Sequence, residues 1–575
     1  MKKLLAFVLM LTFAFFLVGC GKDTKPTGVD VTGPTTVGVG GSIQLTATVK
    51  PSSAEQKVEW ASVDPAIASV DASGKVTGQK KGGTVIRATA SNGEYGQIRM
   101  EVTEEKTDVY PDLGGYTIKI AHSVPSESNP FHEDYKSSDK EARKEAWEAV
   151  EKLYNVKFEV SVYDPMYAWG PPRWDYIVDR ASKGQSDFDF VSVPDDRIGF
   201  FVESKVLHDT TSWYTQYGEG FLADIYKTSG TYQNKLYSII DWEAGINNVM
   251  YYNVDLVADL IKAGNLTKTP AEMFNEGNWT YSAFRDYAIA AQTGLISKFG
   301  ADAKDVYAIS GYATYYWIGM VNSAGIGLAN TLDKTIHFND PIAQAAAATL
   351  KEIGDAKAIR PTPTIDGLIN SSMANSFTNG VGIFDSGDMW FVGNSVRWPA
   401  DMWSKGNAEG TNYGYVPFPR PDGAEYTKEN QKIGLGGTAT YVMPVGRNEA
   451  YKGFGDTNPE NIYRAFTETF KRTKAIMESN VDYDKNVEIN SFADKKTGSQ
   501  DSKEALVYMT QNIDSKAFFD PISLPTNPVA NIWNHKFAQD LHKFVVGAEG
   551  APVSFAEVIS PHLYELQQNL TKAYS

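Results

Sequence analysis

A single cysteine in 575 residues, Cys20, sets the terms on which this chain can fold. No disulfide can form within it, so its stability must come from packed cores, which a chain of this length can bury. The same length is too great for one core and implies two to four domains. Cys20 stands at the exit of an apolar leader: Lys2 and Lys3 give a positive start, and Leu4 to Val18 is almost entirely apolar. That run is too short to span a bilayer comfortably and has the layout of an export signal. No later apolar run approaches transmembrane length, so the remainder reads as soluble. A formal net charge of −16 argues against nucleic acid and against anionic lipid headgroups as direct partners.

Leu17-Val18-Gly19-Cys20 resembles the lipobox of bacterial lipoproteins. The resemblance implies a signal peptide over 1–19, cleavage before Cys20, and a thiol carrying a diacylglyceryl group, with palmitate-type acyl chains anchoring the mature protein to the extracellular face of the cell membrane. At ~0.8 kcal/mol per buried CH₂, two chains hold a soluble protein on a membrane almost permanently. Residues 20–28 then form a short polar tether.

From Val29 to Thr103 the pattern is all strand. Ser42 to Val49, Lys57 to Trp60 and Thr84 to Thr89 alternate face by face, and Asp64-Pro65, Ser73-Gly74, Gly82-Gly83 and Asn92-Gly93 mark turns between strands. This reads as a small β-sandwich. Gly41-Ser42, Leu45-Thr46-Ala47, Pro51, Trp60, Val70-Asp71, Ser73-Gly74-Lys75-Val76-Thr77-Gly78 and Gly83-Thr84 resemble the pattern of bacterial Ig-like group 2 domains. The resemblance implies a spacer or an adhesion element. A spacer with Trp60 in its core is favoured, because the segment offers no convergent polar chemistry.

Residues 104–115 form a charged linker closed by Pro111 and Gly114-Gly115, and residues 116–575 follow a different pattern. Tyr116–His122 reads as a strand, Lys140–Tyr154 as a helix, Val156–Val162 as a strand, Trp174–Lys183 as a helix and Phe188–Val193 as a strand. That alternation predicts a parallel sheet with right-handed crossovers. Ligands of such sheets bind beyond the carboxyl ends of the strands, which puts 122–126, 163–169 and 193–197 on one rim.

Further motifs follow in order: Lys205 to Thr210, Tyr232 to Ile239, Val249 to Leu256, Trp279 to Phe284, Phe338-Asn339-Asp340-Pro341, Phe377 to Ile383 and Tyr413 to Pro419. Together they resemble the extracellular solute-binding proteins of ABC importers, in the family-1 carbohydrate branch, from Tyr116 to the C-terminus. The resemblance implies a two-lobed α/β, periplasmic-binding-protein-like (type II) domain that closes on a solute and delivers it to the transmembrane subunits of a permease. Three departures stand out: an extra Gly-Pro-Pro at 170–172, Asp241-Trp242-Glu243 where a proline is usual, and no clear helical pattern from Ile353 to Asn370.

A sugar cleft needs flat aromatic faces for C–H patches and paired acceptors for hydroxyls, and the chain has 31 Tyr and 12 Trp to draw on. The candidates are Asp241, Trp242 and Glu243 before the 249–253 strand, and the 385–390 loop with Asp388 and Trp390, where Gly387 would let a ligand approach the backbone. The others are Gly436 and Gly437 in a glycine-rich strand entry, and Trp317 and Trp169. Trp242 suits a core equally well, whereas a ligand-binding role is favoured for the 385–390 loop with Trp390.

Enzyme signatures are few. The seven histidines show no metal spacing, Asp482-x-Asp484-x-Asn486 begins like a calcium loop but has Val487 and Ala493 at its key positions, and no G-x-S-x-G elbow occurs. No metal, cofactor or catalysis is expected. The rival readings are a surface glycoside hydrolase, for which 70 acidic residues could supply a carboxylate pair, and a carbohydrate-binding adhesin.

Overall fold

The computed structural model describes residues 25–575 apart from 104–109, 136, 169, 219, 241–245, 247, 362–375, 393–397, 399–401, 404–412, 436–438, 481–483, 512, 524–528, 531–534 and the side chain of Trp390. The chain divides into two compact units, on either side of the Tyr110–Pro111 bond. No helix among the described residues is long and apolar enough to cross a membrane.

The N-terminal unit is all β. A four-stranded sheet runs in the order Thr36–Gly38, Tyr95–Thr103, Gly82–Ala90, Val58–Ser62, and a three-stranded sheet in the order Ser42–Gln44, Lys75–Gly78, Ala68–Val70. Gly28–Thr32 pairs with Thr46–Lys50. The expected strand over 42–49 is interrupted at Leu45, which turns into the core at 1% exposure. Leu45, Ile86, Met100 and Val102 fill that core, with Trp60 packed against it.

In the second unit, β1 (Tyr116–His122), α1 (Lys140–Tyr154) and β2 (Val156–Val162) form where the sequence places them. The apolar face of α1 buries Ala142, Ala146, Trp147 and Val150, and Asn155 ends the helix in a left-handed conformation that feeds straight into β2. The next helix, α2 (Pro171–Ser182), starts three residues earlier than expected. The Gly-Pro-Pro departure is its first turn, where proline loses no helical hydrogen bond. With β3 (Phe190–Pro194), β4 (Ser238–Ile239) and a later returning strand, Ala439–Val442, these strands make one five-stranded sheet. Its order is β2-β1-β3, then Ala439–Val442, then β4, with β1 parallel to β2 and β3 and the last two pairings antiparallel. This is the first lobe, completed by helix Pro459–Ser479 packed on α1.

The second lobe is built on β5 (Asn248–Asn253), flanked antiparallel by β6 (Phe384–Asp388) and β7 (Tyr413–Val416). Around them pack helices that include Tyr281–Phe299, Ala313–Ser323, Pro341–Asp355, Lys485–Lys496 and Gln500–Thr510. Tyr252 lies opposite Gly414, where a Cβ would sit 2.2 Å from the tyrosine ring, so only glycine fits. The chain passes between the two sheets after β4, after β7 and after helix Pro459–Ser479. The unit is thus a two-lobed α/β body.

At the amino edge of the first sheet, away from the strand ends that form the rim, Asp189 is fully buried. It accepts from Arg447 Nε at 2.8 Å, from the Tyr116 hydroxyl at 3.0 Å, from the Tyr451 hydroxyl at 3.2 Å and from the Lys119 amide at 2.8 Å.

Candidate functional site

The carboxyl ends of β1 and β3 deliver the first lobe's rim. His122 ends β1; its Nδ1 accepts the Val124 amide at 3.0 Å, and burial pulls its pKa down to about 4, so it is neutral at ordinary pH. Beside it the buried Arg173 guanidinium lies 4.5 Å over the Tyr163 ring and lowers His122 further. After β3 the chain turns through Asp195-Asp196-Arg197. The second lobe contributes the end of β6, where half-buried Asp388 leads into the Met389–Phe391 turn. Asp196 and Asp388 thus come from different lobes, and the Asp388 charge reaches Asp196.

Burial pushes the Asp196 carboxyl up to about 6; Arg197, 3.6 Å away, opposes the rise and Asp388 adds to it. A carboxyl that holds its proton more tightly when folded favours the fold fully below its unfolded pKa near 3.8. That contribution fades as the pH climbs through about 6 and is worth about 2–3 kcal/mol. Asp196→Asn should therefore match the wild type near pH 4 and gain on it as the pH rises to 7. Urea unfolding of both proteins across that range checks this; a difference that does not vary with pH would contradict it.

Of the residues expected from sequence, Asp388 is at the rim. Trp317 is not. Its ring is fully buried, its indole N–H donates to the Ala343 carbonyl at 2.8 Å, and Phe338 and Phe537 pack on it. It is a core residue and offers no face to a ligand. The stretch 385–387 is not a loop either: Asp385, Ser386 and Gly387 pair with Tyr251, Met250 and Val249 inside the ladder. Nor does Gly387 open the backbone to a ligand, because a Cβ there would lie 2.6 Å from Phe391 and 2.8 Å from Trp398. Trp169, Asp241, Trp242, Glu243, Gly436 and Gly437 lie outside the described residues, as do Cys20 and the leader, and of Trp390 only the backbone is described.

The histidines seven apart are structural. His542 is buried, accepts the Ala313 amide on Nδ1 at 3.2 Å, and has a pKa lowered by burial to about 4. His535 caps the helix Lys536–Val546. Among the described residues, no group of three or more His, Cys, Asp or Glu could hold a metal ion. The sequence reading missed Asp196 and Lys496. An acidic pair directly after a parallel strand was the available signal for Asp196. Nothing in the sequence pointed to Lys496, because its partners are 107 and 369 positions away along the chain, at Met389 and Glu127.

Comparison with known proteins gives several likenesses. The structure is similar to the cyclic alpha-maltosyl-1,6-maltose binding protein from Arthrobacter globiformis, at 13% identity and a TM-score of 0.48 over 80% of this chain and 99% of that one. It is similar to the galacto-N-biose-/lacto-N-biose I-binding protein of the ABC transporter from Bifidobacterium longum, at 14% identity and a TM-score of 0.48 over 80% and 98%. It is similar also to the sugar-binding protein MalE from Xanthomonas citri, at 13% identity and a TM-score of 0.46 over 79% and 98%. Among curated proteins, the Lacto-N-biosidase of Bifidobacterium bifidum is 44% identical over 66 residues, 12% of this chain; the match spans only 6% of that relative's length. Residues 26–98 match the Bacterial Ig-like domain (group 2), and the N-terminal unit carries that domain.

Proposed function

We propose that this protein is the solute-binding component of an ABC importer. In this reading it captures a sugar or oligosaccharide between its two lobes and hands it to the permease's transmembrane subunits, tethered to the extracellular face of the cell membrane by lipid on Cys20. The observation that carries the capture is that each lobe brings a hydrogen-bond acceptor, Asp196 or Asp388, to within reach of the other's charge. A polyol supplies hydroxyl donors in pairs, which suits one acceptor from each lobe. Trp317 excepted, the stacking rings fall to Trp242 and Trp390, with Asp241, Glu243, Gly436, Gly437 and Trp169 as further ligand contacts, each assigned from its place in the sequence and the family resemblance. The lipobox-like Leu17 to Cys20 supports the anchor.

One observation favours a second reading. A carboxyl raised to about 6 beside a second carboxylate is also what a glycoside hydrolase needs for its general acid. A thermal-shift screen of the full chain against mono- and oligosaccharides, with product analysis of each hit, separates the two. A stabilising sugar recovered intact is expected, with weaker binding in Trp242→Ala or Trp390→Ala. A sugar recovered cleaved makes the protein a hydrolase, and no stabilisation by any sugar removes the carbohydrate assignment.

A further inference from the structure

Among the described residues, polar contacts join the two lobes at the C-terminal helix, where Lys572 pairs with Glu203 at 2.6 Å and the Ala573 carbonyl accepts the Gln233 amide at 2.9 Å, and also between two further segments. The first-lobe segment 123–139 joins β1 to α1. The second-lobe partner is the helix Lys485–Lys496, hereafter α3, which joins the second lobe by packing on helix Gln500–Thr510. Near its start, Glu488 Oε1 accepts the Ser138 hydroxyl at 2.5 Å. Eight residues on, about 12 Å at the helical rise, the Lys496 ammonium donates to the Met389 carbonyl at 3.1 Å and faces Glu127 of the first lobe. Both segments are braced from behind. Asp484 caps α3 by accepting the Asn486 amide at 2.8 Å, so these two members of the calcium-loop-like run serve as a helix cap. In the first lobe, Asp139 is held by Arg143 at 2.7 Å and by the Tyr135 hydroxyl at 2.7 Å, and Lys140 donates to the His132 carbonyl at 3.2 Å.

We infer that α3 and the 123–139 segment form a latch that holds the lobes closed without ligand, with Glu488 and Lys496 as positioning residues. Lys496 has a double task, since the Met389 carbonyl it holds opens the turn that carries Trp390. The importance of the latch for uptake rests on the capture reading; lobe closure itself does not.

The test needs no ligand. Spin labels on Glu148→Cys in α1 and Ala348→Cys in helix Pro341–Asp355, both exposed positions, report the lobe separation in the full chain carrying Cys20→Ser. The expected result is one short separation in the otherwise unaltered protein. Ser138→Ala with Lys496→Met should raise the ratio of open to closed molecules about tenfold, equivalent to about 1.4 kcal/mol, whereas Lys496→Arg should stay closed. Ser138 is an exposed residue, so Ser138→Ala alone gives a folded variant with a smaller shift in the same direction. A wide separation before any substitution, or one unmoved by these changes, would overturn the latch. Failure of every sugar to bind would count against the proposed function and leave these distances as they are.

Discussion

Arg447→Met is expected to lose about 3–5 kcal/mol of stability in the α/β unit. Methionine approximates the length of the arginine stem, so the loss is that of the charge and its hydrogen bonds rather than of packing. What it leaves is a carboxylate at 0% exposure whose cation has gone. The tyrosine hydroxyls and the Lys119 amide still reach Asp189, but they are dipoles, and a buried ion left with dipoles alone bears most of its desolvation cost. Arg447 Nη1 also donates to the Ser186 carbonyl at 2.9 Å and Nη2 to the Tyr116 hydroxyl at 2.7 Å, so the guanidinium joins three separate stretches of the first lobe. Adding Asp189→Asn should recover part of the loss, since the amide oxygen still accepts from Tyr116 and Lys119 without a charge. The coupling between the two sites is expected at about 1–3 kcal/mol. Urea denaturation of the two single variants and the double variant measures it; strictly additive losses would show that the pair acts as two independent groups. Because the network lies at the amino edge of the sheet, ligand affinity of the folded fraction should not change.

The ease with which different parts were read from sequence follows from what holds them. In the first lobe β1, α1 and β2 are legible residue by residue, because each has a clean apolar period and a sharp boundary: glycines before Tyr116 and Asn155 between helix and strand. In the second lobe β6 is Phe-Asp-Ser-Gly-Asp, whose last four residues are those that usually mark a turn. Tertiary context makes it a strand, since Phe391 and Trp398 occupy the space beside Gly387 and the ladder to β5 satisfies its backbone. The expected loop therefore starts four residues late, at Met389. The site divides in the same way. Asp388 is visible as a polar residue near a strand end and Asp196 as part of the acidic pair after β3, whereas the contacts of Lys496 join segments far apart in sequence and carry no local signature.

Trp317→Ala is expected to cost about 3–5 kcal/mol and to leave the ligand affinity of the folded protein unchanged. The helix Ala313–Ser323 is buried nearly all round: Tyr315 is its one residue that is not fully buried. Such a helix has no solvent edge from which a ring could reach a cleft. Trp317 itself meets Phe338 edge-on at 5.1 Å and has Phe537 at 5.4 Å and Phe555 at 5.9 Å, so removing the indole empties the centre of an aromatic cluster. Trp317→Phe keeps much of that volume and gives up the bond to Ala343, so its cost should be smaller, about 1–2 kcal/mol. Urea midpoints with an unchanged denaturant slope, set beside titration with the sugar that stabilises the parent protein, separate the roles. Weakened binding at unchanged stability would return Trp317 to the cleft. If the expected pattern holds, Trp317 leaves the set of stacking rings, and Trp242 and Trp390 remain the tryptophans proposed for that role.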